Sequence, residues 1–108
     1  RDPLAEVLAG FHRLIVSRGG DPEIGRRLPV LLERAGLVDI TVEARLPFVR
    51  AGDHRLPVTV ATIDALAPML VASGVPASAV DEVLAEYERP DYRGFDMPQV
   101  AVWGRRPD

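Results

Sequence analysis

The chain contains no cysteine. Disulfides, thiolate nucleophiles and cysteine-held metals are therefore excluded, and the absence fits a reducing compartment, so a cytoplasmic location is expected. Lysine and asparagine are also missing, and all 13 basic residues are arginine. No apolar run approaches the roughly 18–20 residues that span a bilayer. No charged start followed by a continuous apolar stretch marks a signal peptide. With 16 acidic residues against 13 basic ones, the net charge is −3. A mildly acidic surface repels phosphate backbones, so neither nucleic acid nor membrane is expected as a partner. Arg105-Arg106 is too short to make a basic patch.

What remains is the composition of an ordinary globular domain. Hydrophobic residues make up 47% and charged residues 27% of 108 residues, which excludes a collagen, a coiled coil and a chain disordered throughout. One domain with one modest core is expected.

Four helices are legible. Residues 2–18 start at Asp2-Pro3, a capping residue before a proline in the first turn. Leu4, Val7, Leu8, Phe11, Leu14 and Ile15 then recur at helical spacing, and Gly19-Gly20 stops the run. Residues 21–35 repeat the Asp-Pro start, with Ile24, Leu28, Leu31, Leu32 and Ala35 as the apolar stripe and Gly36 as the stop. Pro29 inside it predicts a kink or a later start. Residues 59–73 carry Val60, Ile63, Leu66, Ala67, Leu70 and Val71. Residues 78–89 begin with the capping-box-like Ser78-Ala79-Val80-Asp81 and end before Pro90.

Two strands are legible. In residues 38–46, Val38, Ile40, Val42, Ala44 and Leu46 alternate with polar residues, which predicts one buried face. Gln99 to Trp103 is apolar on both faces, the pattern of a central strand covered on both sides. Residues 50–55 and 91–98 read as loops. Two strands do not make an independent sheet. Neighbouring strands are therefore expected outside this chain, and Arg1 in place of an initiator Met points the same way.

A resemblance gives those neighbours a form. The run from Asp21 to Val42, DPEIGRRLPVLLERAGLVDITV, resembles the last helix and sixth strand of class I S-adenosylmethionine-dependent methyltransferases, in their ubiquinone/menaquinone-biosynthesis-like branch. The ending Val100-Ala101-Val102-Trp103-Gly104-Arg105-Arg106-Pro107 is similar to their seventh strand. The resemblance implies the C-terminal portion of an α/β, Rossmann-like fold, with two antiparallel strands separated by a helical insertion over 58–90. Taken alone, such a piece is α+β. The family's Gly-rich turn and ribose-binding carboxylate have no counterpart here. The resemblance therefore implies that S-adenosylmethionine binds to an upstream part of the same protein and not to these residues by themselves.

In that fold the ends of the parallel strands face the ligand. The segments Pro47 to Pro57 and Asp91 to Pro98 would lie on that side, beside a small-molecule substrate. His12 and His54 are the only histidines, and either could take a proton from an O–H or N–H nucleophile during methyl transfer; His12 beside an apolar stripe and His54 in a polar loop also read as ordinary groups without a catalytic role. Arg50 and Arg55 could hold an anionic substrate group or be solvated loop residues. Tyr92 and Phe95 could line an apolar pocket or pin their loop to the core. No residue is assigned as catalytic, and no metal site is expected. A non-enzymatic α+β interaction or dimerisation module is the alternative, since unmatched apolar stripes need a partner. Helices 59–73 and 78–89 also form a helix-turn-helix-like pair, but the acidic second helix would repel phosphates. An exposed edge on the last strand predicts self-association or marginal stability.

Overall fold

A computed structural model describes residues 2–108. It is a mixed α+β fold of four helices and four strands. The elements are α1 (Pro3–Ser17), α2 (Ile24–Arg34), β1 (Val38–Arg45), β2 (Phe48–Arg50), α3 (Leu56–Ala72), α4 (Ala77–Tyr87), β3 (Arg93–Phe95) and β4 (Gln99–Arg105).

The helix ends follow from local chemistry. The Asp2 side chain accepts a hydrogen bond from the Ala5 N–H at 3.3 Å, with Pro3 in the first turn. After α2, Gly36 takes φ +94. Its N–H donates to Glu33 and the Leu37 N–H donates to Leu32, the paired bonds that a left-handed residue makes possible. The same pairing closes α3, where the Val75 N–H reaches Leu70 at 3.0 Å. Two starts differ from expectation. The first helical residue of α3 is Leu56, three residues before the expected start, and α4 begins at Ala77 behind Pro76 with no side-chain cap. The capping box expected at Ser78–Asp81 therefore does not set that end. Pro29 stays inside α2.

Four strands replace the expected two. β1 and β4 pair antiparallel, from Val38 opposite Arg105 to Arg45 opposite Gln99. β2 and β3 pair antiparallel, from Phe48 opposite Phe95 to Arg50 opposite Arg93. These two small sheets are consecutive stretches of one long hairpin. Between them two residues, 46 and 47, face three, 96 to 98. Pro47 and Pro98 have no N–H to give to a ladder, and the Asp96 N–H donates to the Pro47 carbonyl at 2.9 Å. β3 lies inside the segment 91–98 read as a loop, and β2 covers the unassigned 48 and 49 and the first residue of the 50–55 loop, because three-residue strands carry no measurable alternation.

The face assigned to 38–46 also needs correcting. A bulge interrupts the β1–β4 register between Val38 and Thr41. Asp39 and Ile40 together oppose Gly104, and Asp39 adopts φ 54, a left-handed conformation that Asp tolerates better than most residues. Val38 pairs with Arg105 and Thr41 with Trp103. Arg105 and Trp103 share a face, so Val38 leaves the Ile40–Val42 side and joins the polar one.

That apolar side is covered by α2, with Val100 Cβ 3.6 Å from where a Cβ on Gly25 would lie. Coverage is thin, since Val42 remains 51% exposed and only Ile40 in β1 is half-buried. Within this chain β4 has the unpaired edge that was expected of it. It has one strand neighbour, and Trp103 on its far face is 49% exposed.

The core lies elsewhere. Val7, Ile63, Leu70, Val75, Ala79, Val80 and Val83 form one cluster where α1, α3 and α4 meet. α1 crosses closely at Gly10, where a Cβ would overlap Val75 Cγ2 and lie 3.2 Å from Leu70 Cδ2. Val49 of β2 is also fully buried, outside that cluster; the Thr59 hydroxyl of α3, donating to Asp96 at 3.0 Å, joins the hairpin to the helices. The radius of gyration is 16.9 Å and the extents are 54 × 31 × 22 Å, against about 13 Å for a compact chain of this length. The accessible surface is 7580 Å², where a compact 11.8 kDa chain exposes roughly 5,900 Å². No helix among the described residues is long and apolar enough to cross a membrane.

Candidate functional site at the tip of the hairpin

The sequence-predicted residues divide into three places. Tyr92 and Phe95 come together with Arg50 on the β2–β3 tip. His54 and Arg55 lie in the next turn. His12 stands apart on the exposed side of α1.

The tip is built from backbone bonds first. The Ala51 N–H donates to the Tyr92 carbonyl at 2.9 Å, extending the β2–β3 ladder by one bond. The Tyr92 N–H donates to Arg89 at 3.0 Å, in a turn braced by two 3.1 Å bonds from the Arg89 guanidinium to Asp91. That hydrogen bonding, with the guanidinium's charge, holds the Asp91 carboxyl below its usual range. Tyr92 is thereby set 5.1 Å, centroid to centroid, from Tyr87 at the end of α4. Gly94 leaves room for it, because a Cβ there would lie 2.9 Å from the Tyr92 hydroxyl.

These residues enclose a half-open cavity of about 150 Å³ between Leu4 of α1, Val83, Glu86 and Tyr87 of α4 and residues 92–95. That is the size of a cavity that holds one benzene ring. Desolvation, with the charges of Tyr92, Asp96 and Glu86, pushes the Tyr87 phenol up to about 12. Desolvation followed by Glu86 and Asp96 also raises Tyr92. Both phenols therefore stay protonated and remain donors near neutral pH. Asp96 is held by the Thr59 hydroxyl, which donates to it at 3.0 Å.

On the other face of the same strands, Phe48 and Phe95 meet edge to face at 5.3 Å. The Arg50 guanidinium lies 5.8 Å above the Phe48 ring. In the turn beyond, the Asp53 carboxylate accepts from the Arg55 N–H at 2.9 Å. It also lies 3.6 Å from both the Arg55 guanidinium and His54 Nδ1. Arg55 and His54 thus share the Asp53 carboxylate, while Arg50 lies over Phe48.

Leu4, Glu86 and Tyr87 were not singled out from the sequence. In the sequence, Tyr87 continues the inner apolar stripe of 78–89 with Val80, Val83 and Leu84, and Glu86 falls with Asp81, Glu82 and Glu88 on its polar side. The available signal was the Tyr87–Tyr92 spacing across Pro90, which folds one tyrosine back onto the other.

Among the described residues, no group of three or more His, Asp or Glu could hold a metal ion. The turn from β2 into α3 has a single glycine, Gly52, and its carboxylate is already engaged. The residues present therefore do not fit a methyl donor's ribose and sulfonium. No family model, curated protein or solved structure matches this chain.

Proposed function

We propose that this chain is the C-terminal, substrate-side part of a class I S-adenosylmethionine-dependent methyltransferase acting on a small molecule. In this reading β1 and β4 are its last two strands and α3–α4 the cap inserted between them. The observation that carries it is the half-covered ribbon. β1 and β4 pair antiparallel around a helical insertion, one helix lies on one face, and β4 presents a free edge and an exposed Trp103. Such a ribbon suits a larger sheet that pairs with β4 and covers its second face. The Gly-rich turn and ribose carboxylate of the donor site belong to that larger sheet. The cap's part is to position the acceptor and exclude water, with the Tyr87–Tyr92 cavity as its contact.

The test is calorimetric titration of S-adenosylmethionine into the 108-residue chain and into the same chain joined to the residues encoded before Arg1. Binding by the longer protein alone is expected. Binding by the short chain, or by neither, overturns the reading.

The free β4 edge equally favours a second reading, an interaction module that pairs through this ribbon with a second copy of itself. Sedimentation separates the two. The short chain running as a discrete dimer whose association is lost on Val102→Pro supports the module.

A further inference from the structure

Residues directly opposite on an antiparallel pair share a face, and like charges placed there repel. Arg50 and Arg93 occupy such a position at the tip of the hairpin. Both are exposed. Arg93 acts on Asp91, but that carboxylate is already gripped by both bonds of Arg89. Of the other nearby acids, Asp53 is shared between Arg55 and His54, Asp96 accepts from the Thr59 hydroxyl, and Glu86 lines the cavity that Arg93 also borders. Among the described residues, neither Arg50 nor Arg93 makes a salt bridge within 4.0 Å, so the pair keeps a net positive charge. Beside it on the same face stand Phe48 and Phe95, 47% and 61% exposed. The cross-strand repulsion of this pair thus stands beside two exposed aromatic rings, one of which, Phe48, already receives the Arg50 guanidinium at 5.8 Å.

We infer that the Phe48–Arg50 and Arg93–Phe95 strands form a binding site for an aromatic carboxylate. Two guanidinium forks suit the two oxygens of one carboxylate. The exposed edges and faces of Phe48 and Phe95 receive the ring. The site lies wholly within this chain and does not depend on the methyltransferase reading. Where both hold, the acceptor substrate is an anionic aromatic molecule.

The test titrates the 108-residue chain with 3-phenylpropionate, 3-phenylpropanol, acetate and inorganic phosphate, following the phenylalanine ring and arginine side-chain signals by nuclear magnetic resonance. Phenylpropionate is expected to bind about tenfold or more tighter than the alcohol or acetate, because it alone uses both halves of the site. Arg50→Gln should weaken it by about tenfold. Arg50→Glu should abolish binding and raise the melting temperature of the free protein, since attraction replaces cross-strand repulsion. His12→Gln should change nothing. Equal binding of the alcohol, tighter binding of phosphate, indifference to Arg50→Gln, or no response to any probe overturns the assignment. None of these readouts involves a methyl donor, so failure here is distinct from failure of the methyltransferase reading.

Discussion

The helical lobe and the ribbon lobe carry similar apolar patterns and end very differently. Every fully buried hydrophobic among the described residues lies in α1, β2, α3, α4 or the turn after α3. α2, β1 and β4 contribute none. Yet α2 and β1 have apolar stripes as regular as those of α1 and α4. The difference is layering. Three helices enclose a volume, and a residue at their meeting point loses water on all sides. One helix on a two-stranded ribbon leaves the flanks and the second face open. Pattern states which side of an element wants burial; a second covering layer decides whether burial happens.

The largest expected effect tests this contrast by deleting side chains in each lobe. Leu70→Ala removes a fully buried side chain and should cost about 2–5 kcal/mol in denaturant unfolding. Val42→Ala, on the exposed ribbon, should cost under about 1 kcal/mol. Equal costs would break the comparison by showing that the ribbon carries its own core.

Close approach within the helical lobe sharpens it further. Gly10→Ala places a methyl group against Val75 and Leu70. It should destabilise by about 1–3 kcal/mol despite the better helix propensity of alanine. A gain in stability would mean that α1 is free to shift, and that this lobe is looser than its burial indicates.

The smallest effect concerns the hairpin tip at high pH. Tyr87 has its folded value raised from 10.0 to about 12. The folded protein therefore binds the phenolic proton more tightly than the unfolded chain. That contribution is complete below pH 10 and is lost as pH rises from 10 toward 12. Ultraviolet difference spectra should show Tyr87 ionising last, and Tyr87→Phe should flatten the alkaline loss of stability without altering that of the ribbon. A phenol in Tyr87 that titrates normally would dissolve the packed tip.

Much of the fold was legible because its signals are local. Gly36 and the residues beside it stop α2 through bonds made within one turn, and Asp2-Pro3 starts α1 in the same way. The site was only half legible. Tyr92 and Phe95 stood out as loop aromatics, but their partner Tyr87 was indistinguishable from a core residue on a helical stripe. Arg50 was visible as a possible anion holder. That the hairpin sets Arg93 directly opposite it was not legible, because the two lie on strands some forty residues apart.

By itself, then, the amino-acid order determined the four helices, their stops and the two longer strands, since propensity, capping and periodicity act over a few residues. Only the tertiary structure decided the pairing that makes β2 and β3 strands at all, because a three-residue strand exists through its partner's hydrogen bonds. It also decided the bulge at Asp39 that carries Val38 to the other face, and which of the apolar stripes lost their water. Those outcomes depend on contacts between residues some fifty positions apart, where no local rule reaches.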